Sequence, residues 1–542
     1  MANETLLDTS SEPRLKRAAH DFVSYVAQES KPVELPEELP RVQTDTVSSS
    51  IATLYEQLRN TIDSTEQHLL RRNAIRRFLR RHVLVLGRAQ RLGELLIREL
   101  IRSGYIPNDT FPERDVPNIE NIIQKYISFS AEMRARVSAD KSREIDRWSM
   151  ALAAAEIERS LYKPIREEAL LQYAFETLKE RIRWEDDAVS PQDRDMQLYI
   201  ALHRAIFKSD AMLIEYHLLS SYYEGDWQKL TAQDAAHMAD FALKWRTTIS
   251  QCIDHPSSAR LGLQVRRMVL PMRTLMDTAI EHPDDAIERL TDRDTFIRDI
   301  KSVMDGYYKQ NRRSQRRSTI RSILFIFITK MTLALALEIP YDLWINDSVK
   351  YLPLVVNVTF HPLLLFGLGT FVRFPGSENT KRVLRDLRAT ILEDKTPQPY
   401  FVRLRSQRST LTQAALALFY ILTFSISAGA LVYGLTYFDF GLVGGGLFLF
   451  FLTLVTFVGI RLRTRARHYF VVRHNQTFYG TFFWFLGSPL VEIGRWFSAK
   501  FSQYNLFLFF FDIVLEAPLK TVTYGLEEWF RFARERTEEI VE

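Results

Sequence analysis

The sequence predicts an all-α membrane protein with three parts: a large N-terminal helical bundle or array, a four-helix transmembrane region and an amphipathic, interfacial helical tail. Three observations predict this class. Apolar residues recur at helical spacing through residues 49–311, without a strand-length run of β-branched residues. Four long apolar segments follow, and the connections between them alternate between rich and poor in basic residues.

Composition excludes several other classes. The chain has 542 residues, of which 46% are hydrophobic and 25% charged, and these are the averages of ordinary globular proteins rather than of disordered chains or collagens. Cys252 is the one cysteine, so an intramolecular disulfide is excluded. Charge is uneven, because residues 1–320 hold 48 basic and 49 acidic residues and residues 321–542 hold 23 and 17. The excess positive charge therefore accompanies the apolar segments.

The N-terminal part is predicted to be a water-soluble, coiled-coil-like set of helices. Residues 1–48 form a polar segment with a short helix and a proline-rich connector, and residues 49–311 form a cytoplasmic helical domain. Prolines and glycines mark the predicted helix ends. After a proline-free start, the predicted helices are 118–137, 140–162, 164–186, 191–223, 231–254, 257–281 and 284–311.

The transmembrane domain is predicted to cover residues 312–474. About 20 apolar residues are needed to cross the hydrocarbon core of a bilayer. The predicted spans are about 322–341, 351–372, 411–434 and 440–460. The first is the shortest apolar run and contains one basic residue, Lys330.

Basic residues in the connections predict the topology. Six precede the first span, one lies between the first and second, nine lie in the loop 373–410, none lies between the third and fourth, and five follow the fourth. Cytoplasmic connections carry an excess of lysine and arginine. The alternation predicts a multi-pass protein of the cell inner (cytoplasmic) membrane with both termini in the cytoplasm.

The tail, residues 475–542, is predicted to hold interfacial or re-entrant helices and a charged C-terminal helix. Its apolar runs are interrupted by Gly487, Ser488 and Pro489, and later by Asp512 and Glu516. Such runs suit helices that lie in the membrane interface. Two additional spans are the alternative, and they would also leave the C-terminus inside.

Three polar residues within the first two spans form a candidate intramembrane site. Asn357 and His361 are four residues apart and share a helix face, and Lys330 lies at a similar depth on the antiparallel first span. Ionisable residues inside a membrane are costly and often mark ion or proton pathways. The alternative is structural, with Lys330 extending towards a headgroup and His361 bonding a neighbouring carbonyl.

Small residues in the last two spans predict close helix packing. They occur at small-xxx-small spacing, which lets two helices approach closely in lipid. The pairs are Ser425 with Gly429, Ala430 with Gly434, and Gly441 with Gly445. Packing of the third span against the fourth is one interpretation, and a homodimer is the other.

Two arginine groups are candidate contacts for anionic lipid. The first group is Arg71, Arg72, Arg76, Arg77, Arg80 and Arg81, and the second is Arg461, Arg463, Arg465 and Arg467. For the first group, nucleic-acid binding and a solvated face paired with glutamates are alternatives. The balanced charge of residues 1–320 disfavours nucleic acid, since such domains usually carry an overall positive charge.

The last 230 or so residues resemble a known class of protein. The segments RSILFIFITKMTLALALEIPYDL and VEIGRWFSAKF, followed by FFFDIVLEAPLK and LEEWFRFARERTEEI, are similar to a class of uncharacterised integral membrane proteins from candidate-phyla bacteria. The resemblance implies a bacterial inner-membrane protein and no particular chemistry.

Motifs for catalysis are absent from the sequence. It contains no HExxH, GxGxxG, GxxxxGK or GxSxG, and its histidines lack metal-ligand spacing, so neither a metal nor a cofactor is predicted. We expect a non-enzymatic anchor or scaffold in the lipid bilayer that presents residues 49–311 to a protein partner. The alternatives are a channel or transporter that uses Lys330, Asn357 and His361, and then a membrane-embedded enzyme.

Overall fold

The computed structural model describes residues 14–31, 40–42, 67–87, 90–370, 374–393, 395–404, 409–466, 469–471 and 492. The chain divides into two compact units. The first unit comprises Met1–Asp305 and Ser377–Ser406, and the second comprises Gly306–Gly376 and Gln407–Glu542. The predicted tail helices lie outside the described residues, except for Glu492.

Helices dominate the described parts of both units, which confirms the predicted all-α class. In chain order the helices are α1 (Arg17–Gln28), α2 (Gln67–Leu79), α3 (Leu92–Arg102), α4 (Val116–Arg136), α5 (Ser142–Leu161), α6 (Ile165–Arg181), α7 (Arg194–Ile206), α8 (Ala211–Tyr222), α9 (Ala235–Ile253), α10 (Ser258–Glu281), α11 (Ala286–Thr291), α12 (Arg293–Leu333), α13 (Ile339–Asn346), α14 (Tyr351–Thr370), α15 (Ser377–Ile391), α16 (Thr410–Tyr437) and α17 (Leu442–Ala466). Two π-helical turns, Arg80–Val85 and Ala334–Glu338, extend α2 and join α12 to α13.

Helix α5 lies at the centre of the first unit. Its residues 148–158 are all buried, because this run of alanines, leucine and methionine is apolar around most of the helix circumference. The small alanine side chains let α4 and the other neighbours pack closely. Trp148 of α5 packs in the core with Tyr126 and Phe129 of α4, with neighbouring ring centroids 5.6 to 5.9 Å apart.

Two predicted helices are divided in the structure. The predicted helix 284–311 is interrupted at Asp292, between α11 and α12, and the second is 191–223. The sequence predicted a single helix over 191–223, but α7 ends at Ile206 and α8 begins at Ala211. Lys208 between them has φ of 53°, which an α-helix cannot accommodate. The Asp210 carboxylate then accepts a hydrogen bond from the Leu213 backbone N–H at 3.0 Å and starts α8.

Residues 377–406, predicted as part of a cytoplasmic loop, pack within the first unit. Strand β1 (Ile182–Trp184) pairs in parallel with strand β2 (Tyr400–Val402). Arg181 donates hydrogen bonds to Asp386 at 2.7 Å and to Thr390 at 2.8 Å. The sequence predicted no strands, because three residues are too few to show an alternating pattern.

Four helices among the described residues are long and apolar enough to cross a membrane, in agreement with the predicted spans. They are Arg293–Ile345, Tyr351–Thr370, Thr410–Tyr437 and Leu442–Gly459. The first is a continuous helix of 53 residues that contains the predicted span 322–341. The chain is therefore compatible with a membrane protein.

Helices α14 and α17 form the packed centre of the second unit. Leu365 on α14 and Phe451 and Val455 on α17 are buried together with Ile326 of α12. Most other apolar side chains of these helices face outwards, and only 6% of the most apolar window of α16 is buried. Apolar surface of this extent is expected of helices surrounded by lipid.

Candidate functional site: a polar cluster between apolar helices

Four polar side chains meet inside the second unit, and we call them the intramembrane cluster. Lys330 lies on α12, Glu338 ends the π-helical turn that follows, and Asn357 and His361 lie on α14. Their exposed fractions are 3%, 4%, 3% and 0%. Residues 330 and 338 are about two helical turns apart and residues 357 and 361 one turn, so each pair lies on one face of its helix.

The ammonium group of Lys330 is held by three acceptors on α14. Its Nζ donates to Asn357 Oδ1 at 2.5 Å and to His361 Nδ1 at 2.7 Å, and it also donates to the Asn357 backbone carbonyl. The ring of Phe451 lies 5.1 Å from the same nitrogen, within range of a cation–π interaction. All three donors of the ammonium group therefore have partners, and the side chain is enclosed between the helices.

The contacts of His361 define its tautomer. Its Nε2 is 3.0 Å from the backbone carbonyl of Phe448 on α17, which can only accept, so Nε2 carries the ring proton. Nδ1 is then free to accept from Lys330. Through the bond to Phe448 the ring links α14 to α17.

Asn357 connects the two charged members of the cluster. Its Nδ2 donates to Glu338 Oε2 at 2.9 Å, while its Oδ1 accepts from Lys330. The same Nδ2 lies 3.4 Å from the Gly444 carbonyl on α17. The positive and negative charges of Lys330 and Glu338 are thus joined through a neutral amide rather than by direct contact.

Gly444 makes room for the Glu338 carboxylate. A Cβ at position 444 would lie 2.5 Å from Glu338 Oε1, closer than real Cβ contacts allow. Asp342, one turn further along the same helix, is also buried, with 7% exposed. Two carboxylates therefore accompany one ammonium group in this region.

The space beside the cluster is small. A cavity of about 10 Å³ adjoins Lys330. Its lining residues are Lys330, Leu333, Ala334, Glu338, Asn357, Val358, Leu447 and Phe451. A water molecule needs roughly 10–15 Å³ measured in this way, so the cavity has room for about one. Among the described residues, hydrogen bonds link the four side chains of the cluster to one another.

The structure brings together the three residues named from the sequence and adds a fourth. Lys330, Asn357 and His361 are in direct contact. Sequence reasoning missed Glu338, which lies near the end of the predicted first span. Its position eight residues after Lys330 was a usable signal, since that spacing returns to the same helix face.

The small-residue pairs of the last two spans have different surroundings. A Cβ at Gly429 or Gly434 on α16 would meet no described atom within 4 Å. A Cβ at Gly441 would lie 3.7 Å from Asp342 Oδ1, and one at Gly445 would lie 3.9 Å from Leu435 Cδ1. Packing of the Ser425 and Ala430 pairs against the fourth span, or against a second copy, stays a prediction.

The first arginine group divides into inward and outward side chains. Arg71 pairs with Glu158 at 3.0 Å, and Arg72 pairs with Asp210. Arg76, Arg77, Arg80 and Arg81 are exposed, and Arg81 pairs with Glu99. In the second group, Arg461, Arg463 and Arg465 belong to α17, and Arg467 lies outside the described residues.

A second buried cluster occurs in the first unit. The rings of His203 on α7 and His217 on α8 lie 4.3 Å apart. Nδ1 of His203 is 2.7 Å from Ser209 Oγ, and Arg159 donates to Nδ1 of His217 at 2.8 Å. Burial and, to a smaller extent, the Arg159 charge lower the pKa of His203 to about 3, and burial also lowers the pKa of His217. Both imidazoles are neutral at neutral pH, and they fill the core.

Two other features of the first unit, the Cys252 thiol and a groove, do not indicate a reactive or a ligand-binding site. Burial raises the pKa of the Cys252 thiol, which reduces its reactivity. A groove of about 370 Å³ is lined by cations and anions in equal number: Lys163, Arg166, Arg273, Glu29, Glu167 and Asp277. Such a balanced lining gives no strong preference for a ligand of either charge.

No group of three or more His, Cys, Asp or Glu residues in the described parts of the chain is arranged to hold a metal ion. Comparisons with protein-family models, curated proteins and solved structures find no match for the chain. The function is therefore inferred from the geometry of the intramembrane cluster and from the sequence.

Proposed function

We propose that the protein is a non-enzymatic anchor or scaffold that holds a helical domain at a membrane and presents it to protein partners. The observation that carries the proposal is the closed hydrogen bonding of the intramembrane cluster. Lys330 and His361 use their polar atoms on partners within the helices, and the adjoining cavity has room for about one water. A cluster of this kind suits the fixing of helices better than the passage of a solute.

The cluster connects three of the four apolar helices. Lys330 joins α12 to α14, and the His361 bond to the Phe448 carbonyl joins α14 to α17. Hydrogen bonds between helices hold membrane bundles together where the hydrophobic effect is weak. The proposed role of the second unit is therefore to provide a rigid support.

Topology and partners belong to the same proposal. The distribution of basic residues supports an inner membrane location with both termini in the cytoplasm. Residues 49–311 would then face the cytoplasm and bind the protein partner. The resemblance of the C-terminal part to bacterial integral membrane proteins supports a bacterial inner membrane.

A flux assay tests the proposal. The full chain is reconstituted into vesicles that contain a pH-sensitive dye, and a potassium gradient with valinomycin drives proton movement. We expect acidification at the rate of protein-free vesicles, with gramicidin as the positive control. Protein-dependent flux that is lost in Lys330→Met would contradict the scaffold role.

Proton or ion translocation is the second candidate function. Two charged groups of opposite sign within the apolar helices, Lys330 and Glu338, favour it, since such residues often form relays. The chain Glu338, Asn357, Lys330 and His361 is continuous in hydrogen bonds. Flux that is lost in both Lys330→Met and Glu338→Gln would establish this alternative.

A further inference from the structure

A basic surface with an apolar tip projects from the first unit, and we call it the arginine tip. It consists of Arg76, Arg77 and Arg80 on α2 and the following turn, with Val85 and Leu86 at the end. All five residues are exposed, and the exposed fractions of Val85 and Leu86 are 72% and 54%. The opposite side of this segment, with Ile75, Phe78 and Leu79, is buried in the core. The arginine tip is therefore the outer face of a helix whose inner face is fixed.

The segment concentrates positive charge in a domain that is otherwise balanced. Residues 67–87 contain six arginines and no acidic residue. Arg71, Arg72 and Arg81 pair with Glu158, Asp210 and Glu99. Arg76, Arg77 and Arg80 belong to the arginine tip, and all three are exposed.

The arginines of this segment are close enough to repel one another. Partial burial lowers the pKa of Arg76 and Asp210 raises it, while the positive charges of Arg72, Arg77 and Arg80 lower it. An external anion that binds between these arginines would reduce the repulsion between their charges.

The backbone at the tip is also unusual. Residues Arg80–Val85 form a π-helical turn, a rare conformation that is frequent at functional sites. Gly87 follows with φ of 62°, in the left-handed region that favours glycine. The turn therefore ends with two large apolar side chains in solvent.

We propose that the arginine tip docks on the surface of an anionic bilayer. The arginines meet lipid phosphates, and Val85 and Leu86 enter the boundary between headgroups and acyl chains. Basic residues beside exposed apolar residues suit this boundary. A nucleic acid would use the arginines but would leave the two apolar side chains in water.

A fluorescence experiment on the full chain tests this docking. Cys252→Ser removes the natural thiol, and Val85→Cys carries an environment-sensitive NBD probe. The protein is placed in phosphatidylcholine nanodiscs, in nanodiscs with one third phosphatidylglycerol, and in phosphatidylcholine nanodiscs mixed with vesicles that contain one third phosphatidylglycerol. We expect a blue shift and quenching by spin-labelled lipid with phosphatidylglycerol in the discs or in the vesicles, and reversal by high salt. A probe at Leu243→Cys, on α9, should not respond.

Charge variants separate docking from a nonspecific response. Each cation near an anionic surface strengthens binding about fivefold, so Arg76→Gln with Arg80→Gln should reduce the ratio of docked to undocked protein about thirtyfold. Arg143→Gln with Arg147→Gln removes the same charge from an exposed part of α5 and should change the ratio little. Leu86→Ser should weaken the blue shift.

Two results would overturn the proposal. The first is an unchanged spectrum with phosphatidylglycerol in both arrangements. The second is a probe that responds to added polynucleotide and not to anionic lipid, which would assign the arginines to nucleic-acid binding.

Discussion

Among the described residues, one lysine in each unit is almost completely buried, and the two lysines are neutralised differently. In the first unit, Lys125 is 1% exposed and contacts the carboxylate of Glu156 directly. In the second unit, Lys330 is 3% exposed and contacts an amide, an imidazole and a carbonyl. Glu338 is connected to Lys330 only through the Asn357 amide. The first arrangement concentrates opposite charges at one point, and the second distributes them along a chain of hydrogen bonds.

The surroundings explain why each arrangement is stable. Glu156 also accepts from the Tyr126 hydroxyl at 2.8 Å, and Lys125 donates to the Trp227 carbonyl at 3.1 Å. Burial raises the pKa of Glu156, and the Lys125 charge opposes that rise. Removing either partner of this ion pair would therefore leave the other buried without a counter-charge, which lowers the stability of the unit. In the second unit, the Asn357 and His361 side chains that contact Lys330 each have another partner, and Glu338 keeps its hydrogen bond from Asn357 when Lys330 is lost.

The largest expected effect is the loss of the direct ion pair. Lys125→Met leaves Glu156 buried without a counter-charge, and we expect it to lower the free energy of unfolding of the first unit by about 3–5 kcal/mol. Urea unfolding of the full chain followed by tryptophan fluorescence measures this. The double variant Lys125→Met with Glu156→Leu should recover most of the loss. An equal loss in the double variant would show that the charge is not the cause.

The corresponding change in the second unit should cost less. Lys330→Met removes three hydrogen bonds to neutral groups, and Glu338 loses a counter-charge that it does not contact directly but keeps its hydrogen bond from Asn357, so we expect a loss of about 2–3 kcal/mol. The reaction rate of a cysteine at Leu365, which is fully buried, reports local opening of the second unit in the Cys252→Ser background. A loss larger than that of Lys125→Met in the first unit would contradict the comparison.

The buried histidines should make the first unit sensitive to acid. The pKa of His203 is about 3 in the folded chain and 6.5 in the unfolded chain, so only the unfolded chain gains a proton as the pH falls below 6.5. Stability is complete above pH 6.5 and is lost progressively down to about pH 3, by about 2 kcal/mol at pH 5 from His203 alone. Hydrogen exchange in α7 and α8 measures it, and His203→Gln should flatten the dependence. An equally steep dependence in that variant would assign the effect to other groups.

The smallest expected effect concerns two glycines of α17, Gly444 and Gly446. Gly446→Ala has open space and should gain up to about 1 kcal/mol from helix propensity. Gly444→Ala forces Glu338 to move, which should cancel that gain. The same cysteine at Leu365 reports both variants, and an equal gain in both would show that Glu338 adapts freely.

Sequence reasoning predicted the parts of the molecule that depend on long patterns. Four apolar runs of about 20 residues predicted the four apolar helices, because length and composition are sufficient for that assignment. Helical spacing also predicted that Asn357 and His361 share a face and that Lys330 lies at a similar depth, and in the structure these residues are in contact.

Features that depend on single residues or distant pairs were not predicted. The break at Lys208 is a local backbone conformation, and β1 pairs with β2 over more than 200 residues of intervening chain. Glu338 was missed because a charge near the end of a span resembles a loop charge. Its burial depends on Gly444, which lies on a different helix.

Water access to the intramembrane cluster tests the central claim most directly. In the Cys252→Ser background, single cysteines replace Ala334 and Val358, which line the small cavity and leave the cluster itself intact. Membranes are treated with a water-soluble maleimide, which reacts only with a hydrated thiolate. Controls are Leu418→Cys on an exposed apolar face and Ser377→Cys on the first unit. The scaffold account predicts no labelling at 334, 358 and 418 and labelling at 377 after permeabilisation, whereas labelling at both 334 and 358 would show a hydrated pathway and contradict it.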